Sequence, residues 1–318
     1  MDDKIVVITG ANSGIGKAAA IKFAKEGYTV VMACRNLERS KSAQQEIIEA
    51  SKNPHVELLK LDISSFKSIH QFSAMLKHKY PKLDILIHNA AYLNHGEKKY
   101  LLSQDGIELS FATNTVGPFL LTRKLAGMLE KSEDARVLHA CTTNIRHFFD
   151  PKRKIEFDNL QGELKNERPF KAYKFYGDTK MALLMLTFKM AEELKQSGIS
   201  VNAVQIPAIK LSKETINKFQ SGWRFAARIQ NVFSAPRETM AKTYYHICTS
   251  EEFKNVTGKL INDKRGMMGA SHYSAGLTQD IKQLMDQNVY PKYADDPENI
   301  QRVWDLCVSL TRDPVSLS

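Results

Sequence analysis

The sequence predicts an α/β fold, a single doubly wound parallel sheet of about seven strands with helices on both faces and a C-terminal helical cap. Two observations predict it. Short apolar runs rich in β-branched residues alternate with longer amphipathic runs over the first two hundred residues. The apolar runs are continuous, which is typical of strands buried on both faces. Because no repeat or Gly/Ser-rich linker divides the chain, we expect one domain over 1–318, with a core at about 4–262 and an extension at about 263–318.

The elements follow in order along the chain. The apolar runs predict strands at 5–9, 28–34, 56–61, 84–88, 136–141, 199–206 and 257–262. The amphipathic runs predict helices at 14–25, 37–51, 65–79, 111–131, 173–196, 211–233, 234–250 and 297–311. The alternation weakens after Pro207, and we expect 263–292 to be irregular.

The composition is that of a globular protein. Of 318 residues, 43% are hydrophobic and 25% are charged, which excludes collagen-like, low-complexity and wholly disordered chains. No stretch approaches the roughly 18 apolar residues of a membrane span, and we expect no secretory signal, since a strand follows Met1 within a few residues. The cysteines at 34, 141, 248 and 307 lie far apart without a CxxC motif, which predicts reduced thiols and no metal site.

The charge permits an anionic partner. There are 45 basic and 35 acidic residues, a formal net charge of +10, which is compatible with nucleic acid, an acidic membrane surface or a phosphorylated small molecule. The basic residues are scattered apart from a cluster at 152–154, and no nucleic-acid-binding motif accompanies them. A solvated basic surface is the simpler interpretation, so we expect no nucleic-acid partner.

A glycine-rich turn follows the first predicted strand. It reads Gly10-Ala11-Asn12-Ser13-Gly14-Ile15-Gly16 and leads into a helix. Glycine lets the backbone turn sharply and approach a pyrophosphate, and the helix offers unpaired N–H groups. The alternative is an ordinary strand-to-helix connection, but the strand-turn-helix context favours a dinucleotide. We therefore assign cofactor binding to Gly10, Asn12, Ser13, Gly14, Ile15 and Gly16.

The end of the second strand indicates which dinucleotide is bound. A carboxylate at this place would bind the ribose 2′-hydroxyl, but the chain has Cys34 followed by Arg35. A cation suits a 2′-phosphate, so Arg35 predicts NADP(H) rather than NAD(H). A plain surface arginine after a strand is the alternative.

Tyr176 and Lys180 form a candidate acid/base pair. Residues four apart share one face of a helix, so the Lys180 ammonium can come close to the Tyr176 hydroxyl. A tyrosine normally loses its proton near pH 10, and a neighbouring cation favours the phenolate. A tyrosine and a lysine four residues apart are common by chance. The pair indicates catalysis here because it follows a predicted phosphate-binding turn in an α/β sheet.

The motifs stand in the order of a known family. They are Thr9-Gly10-x-x-x-Gly14-x-Gly16, Asp62, His88-Asn89-Ala90-Ala91, Asn114 and Tyr176-x-x-x-Lys180. From about residue 4 to about residue 262 the chain resembles the short-chain dehydrogenase/reductase family, which has a Rossmann-type domain. The runs 33–36, 111–117 and 303–309 are most similar to its retinol-dehydrogenase-like branch.

The resemblance implies catalytic roles for three residues. Tyr176 would be the general acid in carbonyl reduction, or the base in the reverse direction. Lys180 would bind the nicotinamide ribose and lower the tyrosine pKa. Asn114 would hold a water that links Lys180 to solvent. A helix-buried amide is the alternative for Asn114.

The resemblance also implies further cofactor contacts. Asp62 would contact the adenine, with helix capping as its alternative, and Asn89 would support the sheet beside the cofactor. Ile63, Ala90, Lys180 and Pro207 complete the implied cofactor-binding set.

Three positions depart from the family pattern. Thr142 stands at the position of the catalytic serine, with Cys141 before it. A threonine hydroxyl can still donate to a carbonyl, although its methyl narrows the pocket. Ala91 and Ala208 replace glycines near the cofactor. These changes leave the fold intact but favour weaker turnover.

Two segments are expected to border the substrate site. The stretch 147–154 mixes aromatic and basic residues and forms either a basic lip or a solvated loop. The run 223–233 is amphipathic and lies in a predicted substrate lid at about 208–235. Its apolar face would pack in the lid, contact a membrane surface peripherally or belong to the core. Many relatives carry an N-terminal membrane anchor and this chain shows none, so we expect a cytoplasmic protein with at most peripheral membrane contact.

The sequence as a whole predicts an NADP(H)-dependent oxidoreductase. Its substrates would be hydrophobic aldehydes, ketones or alcohols of retinoid, steroid or lipid type. The alternative is a dinucleotide-binding protein with weak or no turnover that serves as a sensor or assembly partner. The resemblance also permits a homodimer through the long helices at about 111–131 and 173–197.

Overall fold

The computed structural model describes residues 4–93, 97–210, 216, 224, 231, 234–274 and 276–311. The helix predicted at 211–233 and most of the lid predicted at 208–235 lie outside the described residues apart from isolated positions.

One parallel sheet forms the centre of the molecule, as the sequence predicts. Its strands are β1 Ile5–Thr9, β2 Thr29–Cys34, β3 Val56–Lys60, β4 Ile85–His88, β5 Ala135–Thr142, β6 Ile199–Ile206 and β7 Leu260–Ile261. Their order is β3-β2-β1-β4-β5-β6-β7, with each neighbouring pair parallel. The chain runs outward from β1 to β3 and then returns to place β4 on the other side of β1. The carboxyl ends of β1 and β4 therefore flank the crevice in which such sheets bind ligands.

Helices cover both faces of this sheet. They are α1 Gly14–Lys25, α2 Leu37–Ser51, α3 Phe66–Lys79, α4 Leu109–Phe111, α5 Gly117–Leu129, α6 Ala172–Glu193, α7 Arg237–Thr249, α8 Leu277–Met285 and α9 Pro297–Leu310. On one face, α1, α2 and α7 bury side chains such as Phe23, Ile47 and Tyr244. On the other face, α3, α5 and α6 bury side chains such as Phe72 and Phe119. Burial on both faces explains why the strands read as continuous apolar runs.

The starts of several helices are fixed by local hydrogen bonds. The side chains of Asn36, Ser65 and Asp296 accept from the backbone N–H three residues on, at 3.0, 3.4 and 3.0 Å. Each of these bonds satisfies one of the unpaired donors in the first turn of α2, α3 or α9.

The segment 263–292 is not irregular throughout, and this expectation was wrong. It contains α8 and two short paired strands, β8 Gly269–Ala270 and β9 Val289–Tyr290. The Arg146 guanidinium donates to the carbonyl oxygens of Gln283, Leu284 and Asp286 at 2.9, 2.7 and 3.1 Å. A cation at the C-terminal end of a helix satisfies its last carbonyls and suits its dipole. The partner that stabilises α8 thus lies far away in the sequence.

The stretch 147–154 is also more ordered than a solvated loop. Its first residues complete a 3₁₀ helix, Thr143–Phe149, in which Phe148 is buried. Arg153 forms an ion pair of 2.6 Å with the buried Asp178 of α6 and lies 4.3 Å from the centroid of the Phe148 ring. Burial raises the pKa of Asp178 to about 7, and Arg153 opposes this shift. The cation at position 153 therefore fastens this stretch to α6.

Helix α9 forms the C-terminal cap that the sequence predicts. Val303 and Cys307 are fully buried against the layer that contains α5 and α6. The Trp304 ring meets Phe119 of α5 edge-on, with 5.2 Å between ring centroids. The chain's own last helix thus covers part of the surface formed by the two long helices.

Candidate active site

The turn after β1 has the geometry of a phosphate cradle. Gly10 and Gly14 have φ angles of 67° and 56°, a region that favours glycine. A Cβ on Gly16 would lie 2.5 Å from Asn89 Nδ2 and 2.6 Å from the Gly10 carbonyl oxygen, so a side chain does not fit there. Helix α1 begins at this turn, and its N-cap residue Ser13 makes no side-chain capping bond. The first N–H groups of α1 therefore have no partner from the cap, as an anion site requires.

The outer surface of the turn adjoins the end of β2. Ser13 is exposed, whereas Asn12 and Ile15 are half-buried. Cys34 is buried beside the backbone N–H groups of Ala11 and Asn12, and burial raises the pKa of its thiol. Arg35 is the first exposed residue after the strand, and no described carboxylate pairs with it. The guanidinium is thus available beside the turn, at a position where a carboxylate would favour a bare ribose.

Asp62 and Ile63 follow β3 at the same edge of the sheet. Asp62 Oδ1 accepts from the backbone N–H and the hydroxyl of Ser64 at 3.1 and 2.7 Å. These two bonds orient the Asp62 carboxylate within its loop. Oδ2 takes part in neither of them. Ile63 is buried, and its carbonyl oxygen would lie 2.0 Å from a Cβ at Gly117. Close packing on the start of α5 therefore holds this loop beside the crevice.

Thr9 organises the end of β4, a role that sequence reasoning missed. Its hydroxyl accepts from the backbone N–H groups of Asn89 and Ala90 at 3.0 and 2.9 Å. The Asn89 amide donates to the Thr9 carbonyl at 3.0 Å, and the Tyr244 hydroxyl donates to Asn89 Oδ1 at 3.4 Å. The only sequence signal for this role was the threonine that precedes Gly10. Through these bonds Asn89 joins β1 and β4 beside the glycine turn.

Asn114 lies in a π-helical turn, Ala112–Val116, between α4 and α5. Its side chain accepts from the Tyr92 N–H at 2.7 Å and donates to the Tyr92 carbonyl at 3.0 Å. It also donates to the Thr179 hydroxyl at 3.1 Å. A widened turn is a common way to aim one side chain out of a helix. This amide therefore ties the loop after β4 to α6, immediately beside Lys180.

Thr142 and Tyr176 meet at the carboxyl end of β5. The Thr142 side chain lies close enough to the Tyr176 hydroxyl to lower its pKa, and the Thr142 oxygen accepts from the Asn144 N–H at 3.2 Å. Cys141 points away from this pair, because it is buried and its thiol lies 3.6 Å from the Lys180 carbonyl oxygen. The geometry thus places Thr142, and not Cys141, beside the tyrosine.

Lys180 is buried one helical turn beyond Tyr176. It is 2% exposed, and its Nζ donates to the Ala140 carbonyl at 2.8 Å. Nζ lies 5.9 Å from the centroid of the Tyr176 ring. Burial lowers the pKa of Lys180 to about 8, with the nearby Cys141 thiol acting in the opposite direction. The two residues share a helix face, as their spacing predicts.

The pKa of Tyr176 is shifted in the direction opposite to the sequence-based expectation. Burial raises it above its ordinary value, and Cys141 adds to the rise. The nearby Thr142 side chain lowers the pKa of Tyr176, but this effect is smaller than that of burial. The chain's own residues therefore keep the Tyr176 hydroxyl protonated at neutral pH.

The remaining predicted positions lie at the ends of neighbouring strands. Pro207 follows β6 and is half-buried, whereas Ala91 and Ala208 are exposed. The Ala208 carbonyl accepts from the Ala235 N–H at 3.0 Å. The fold therefore gathers residues from the ends of β1 to β6 and the start of α6 at one edge of the sheet.

Asn144 and Gly177 are two further residues of this site that the sequence did not reveal. Asn144 packs so closely on Gly177 that a Cβ there would lie 2.4 Å from its Oδ1. The glycine beside the tyrosine was the only available signal. This contact fixes the segment after Thr142 against the start of α6.

Two features are absent from the described part of the chain. It contains no group of three or more His, Cys, Asp or Glu side chains that could hold a metal ion. It also contains no helix that is both long and apolar enough to span a membrane.

The chain is similar in sequence to proteins of one known family. Residues 4–146 match the short chain dehydrogenase family model. The chain is 35% identical to retinol dehydrogenase 12 of Mus musculus over 268 residues, 84% of this chain and 80% of that protein. It is 30% identical to retinol dehydrogenase 13 of Mus musculus over 266 residues, 82% of this chain and 76% of that protein.

A solved structure shows the same fold. A short chain dehydrogenase from Shigella flexneri, crystallised in complex with NADP, superposes with a TM-score of 0.62 at 20% identity, covering 83% of this chain and 98% of that one. The activity class is that of an oxidoreductase acting on CH–OH or C=O groups with a nicotinamide dinucleotide. The chain belongs to the short-chain dehydrogenase/reductase family, in its retinol-dehydrogenase-like branch.

Proposed function

We propose that this protein is an NADP(H)-dependent oxidoreductase that transfers hydride between nicotinamide and a hydrophobic carbonyl or alcohol substrate. One observation carries the proposal: the buried Lys180 ammonium lies 5.9 Å from the centroid of the Tyr176 ring, with Thr142 close to the Tyr176 hydroxyl, at the sheet edge that also holds the glycine turn. A proton donor and a cation are thus held together next to a dinucleotide cradle.

The cradle fits a dinucleotide in its shape and its hydrogen-bonding groups. Gly10, Gly14 and Gly16 leave three positions of the turn without a side chain, and the start of α1 supplies N–H groups for the pyrophosphate. Asp62 Oδ2 is available to accept from the adenine amino group, and Arg35 would bind a 2′-phosphate. Asn12, Ser13, Ile15, Ile63, Asn89, Ala90, Lys180 and Pro207 would line the rest of the cofactor path.

The protein's residues supply the proton and orient the carbonyl. The bound cofactor supplies or accepts the hydride. Tyr176 donates the proton to the carbonyl oxygen. Its raised pKa keeps the hydroxyl protonated but makes it a weaker acid, which the neighbouring Lys180 ammonium would offset. Thr142 donates its own hydroxyl proton toward the same oxygen, since its oxygen accepts from Asn144. Lys180 holds the ribose, and Asn114 fixes the loop after β4 around them.

The proposed substrates are apolar aldehydes, ketones or alcohols of retinoid, steroid or lipid type. The proposal draws on the names of the relatives and on the amphipathic run at 223–233, which lies outside the described residues apart from two isolated positions. A carbonyl panel that spans retinal, steroid ketones, medium-chain aldehydes and small polar aldehydes, measured with NADPH, tests it. Preference for the small polar aldehydes contradicts this substrate class.

The second candidate is a dinucleotide-binding sensor or assembly partner with weak or no turnover. Thr142, Ala91 and Ala208 favour it, because each adds a methyl group where the family has a smaller residue. Binding of NADPH without Tyr176-dependent oxidation over the whole panel would establish this candidate and reject the enzyme.

Substitutions at 141 and 142 test which residue assists the carbonyl. We expect Thr142→Ala to lower kcat about 10²-fold, because it removes a donor aimed at the developing oxyanion. Thr142→Ser should retain or raise activity, since it keeps the hydroxyl and removes the methyl. Cys141→Ser is the matched control and should stay near wild type, because its side chain points toward α6. An equal gain from Thr142→Ser and Cys141→Ser would contradict the assignment.

We propose a cytoplasmic location with at most peripheral membrane contact. Flotation of the purified protein with vesicles of neutral and anionic lipid tests this at physiological salt. Recovery of most of the protein with the vesicles contradicts it.

Helix α9 determines whether a homodimer can form through the long helices. Because α9 covers part of the surface of α5 and α6, with Trp304 against Phe119, pairing of two copies through the covered part would require α9 to move. We expect light scattering to give the monomer mass of 36.0 kDa for the full chain. Twice that mass, with cross-links between α5 or α6 of two copies, would show that α9 is displaced.

A further inference from the structure

The start of α6 carries Tyr176 but has no side-chain cap. The N-cap residue Lys171 makes no side-chain hydrogen bond to the helix. The first N–H groups of a helix have no partner within it, so an end without a cap is less stable. Tyr176 is the fifth residue of α6, and loosening of this end would displace its hydroxyl. Contacts from outside the helix must therefore hold the start of α6 in place.

Arg153 makes two such contacts. Its guanidinium donates to the Lys174 carbonyl at 2.9 Å, and the same nitrogen lies 2.6 Å from Asp178 Oδ1. Lys174 and Asp178 are four residues apart and share one face of α6. Tyr176 lies midway between them in the sequence and therefore on the opposite face of the helix. Arg153 thus holds the helix from the side away from the reacting groups.

The ion pair of Arg153 with Asp178 is the more buried of two attachments at this end. The two side chains are 14% and 2% exposed. Lys174 also pairs with Glu156, but those side chains are 39% and 29% exposed. An exposed ion pair contributes little, whereas loss of one partner of a buried pair leaves an uncompensated charge. Arg153 is therefore the stronger attachment.

The C-terminal extension supports the arginine through two aromatic rings. The Arg153 guanidinium lies 4.3 Å from the centroid of the Phe148 ring. Phe148 stacks on Tyr293, with 5.3 Å between ring centroids and 14° between ring planes. The Tyr293 hydroxyl accepts from the Ile155 N–H at 3.1 Å, which fixes the chain two residues beyond the arginine. Tyr293 lies in the 3₁₀ turn Lys292–Asp295, just before α9.

We propose that Arg153 is a positioning residue that holds Tyr176 in place through the buried Asp178, with the C-terminal extension as its support. The effect on turnover rests on the proposed function, whereas the ordering of the helix start does not. Because the arginine acts through α6, its loss should displace the proton donor and leave the dinucleotide cradle intact.

Arg153→Met tests the effect on turnover. Methionine keeps an unbranched stem beside Phe148 but removes the cation. We expect kcat per NADPH-binding site to fall about tenfold, because a small displacement of a catalytic group is costly. The affinity for NADPH should stay near wild type. Burial raises the pKa of Asp178 to about 7, so assays at about pH 8 keep its carboxylate largely ionised.

The normalisation to binding sites separates positioning from stability. A merely structural role would lower the number of NADPH-binding sites and leave kcat per site unchanged, which overturns the proposal. Arg153→Lys keeps a cation for Asp178 but loses the guanidinium fork, so it should recover part of the activity, with a deficit of about threefold. No recovery in Arg153→Lys together with weakened NADPH binding would also overturn the proposal.

Arg123→Met is the matched control. The Arg123 guanidinium lies 5.4 Å from the centroid of the Phe119 ring on α5, and the residue is exposed. The control removes the same charge and the same kind of ring contact, and kcat per site should stay near wild type. Equal losses in Arg123→Met and Arg153→Met would show a general effect of charge and overturn the proposal.

Hydrogen exchange tests the ordering of the helix without turnover. In full-length Arg153→Met, the backbone N–H groups at 172–180 should exchange faster than in the wild type, and those at 14–25 in α1 should be unchanged. Unchanged exchange at 172–180 overturns the proposal. If the wild type turns over no carbonyl, the proposed function fails, and this measurement alone decides whether Arg153 orders the start of α6.

Two further variants apply if Arg153→Met does not fold. The double variant Arg153→Met/Asp178→Asn also removes the unpaired buried carboxylate and should show the same loss of kcat per site and the same faster exchange. Tyr293→Leu removes the ring that supports Phe148 and should give a smaller loss of the same kind. A folded double variant with wild-type kcat per site and wild-type exchange overturns the proposal.

Discussion

Tyr176→Phe is expected to lower kcat for the reduction of an apolar aldehyde by about 10²- to 10⁴-fold while leaving NADPH affinity nearly unchanged. The substitution removes the proton donor and preserves the ring, so the loss corresponds to general acid catalysis. Because phenylalanine keeps the ring and lacks only the hydroxyl, the aromatic packing around position 176 should survive. Steady-state kinetics and fluorescence titration with NADPH measure the two quantities separately.

Tyr173→Phe is the matched control for this experiment. Tyr173 lies three residues earlier in α6 and is 53% exposed. Removal of its hydroxyl should leave kcat near wild type. Equal losses in the two variants would show that the acid is not Tyr176, and a full loss of NADPH binding in Tyr176→Phe would indicate a cofactor contact instead.

Arg35→Glu is expected to reverse the cofactor preference. The guanidinium would make charge-assisted bonds to a 2′-phosphate, worth about 1.5–3 kcal/mol, so NADPH affinity should fall about 10- to 150-fold. The new carboxylate also repels the phosphate and can accept from a 2′-hydroxyl, so NADH affinity should hold or improve. Dissociation constants for both nucleotides, measured at one ionic strength, give the ratio.

Lys25→Glu makes the same change of net charge at the far end of α1, where the residue is exposed. It should leave the ratio of the two affinities unchanged, because a general charge effect is screened over that distance. A wild-type preference for NADH, or a ratio that Arg35→Glu does not move, would refute NADP(H) as the cofactor.

The sheet and the motif positions could be predicted because their signals are local. Strand β1 and the turn at 10–16 need only the residues themselves, since glycine conformations and apolar runs are properties of short segments. The pairing of Tyr176 with Lys180 likewise follows from helix geometry. The order of strands then brings these segments to one edge.

The remaining features depend on contacts between distant segments. Helix α8 is capped by Arg146, which lies 138 residues before Leu284 in the sequence, so the residues around 277–285 do not reveal it. Arg153 pairs with Asp178 on α6, which lies outside the stretch 147–154. The stretch alone is therefore typical of a solvated basic loop. The pKa of Tyr176 depends on burial by the whole fold, so its direction could not follow from a nearby lysine. The hydrogen bonds of Thr9 to Asn89 and Ala90 could not be predicted from the sequence either, because these partners lie about 80 residues away.

The strand order has a consequence for how the protein acquires activity during synthesis. Strand β1 is made first but must bond to β4, in which Ile85, the register partner of Val6, lies almost eighty residues later. The candidate active site also needs β5 to be paired with β6, and β6 ends at Ile206. Pairing between such distant segments carries a high entropic cost before it yields contacts, so folding should be slow. A ribosome-bound fragment that stops before β6 should therefore hold no competent nucleotide pocket, although it already contains the glycine turn and the tyrosine.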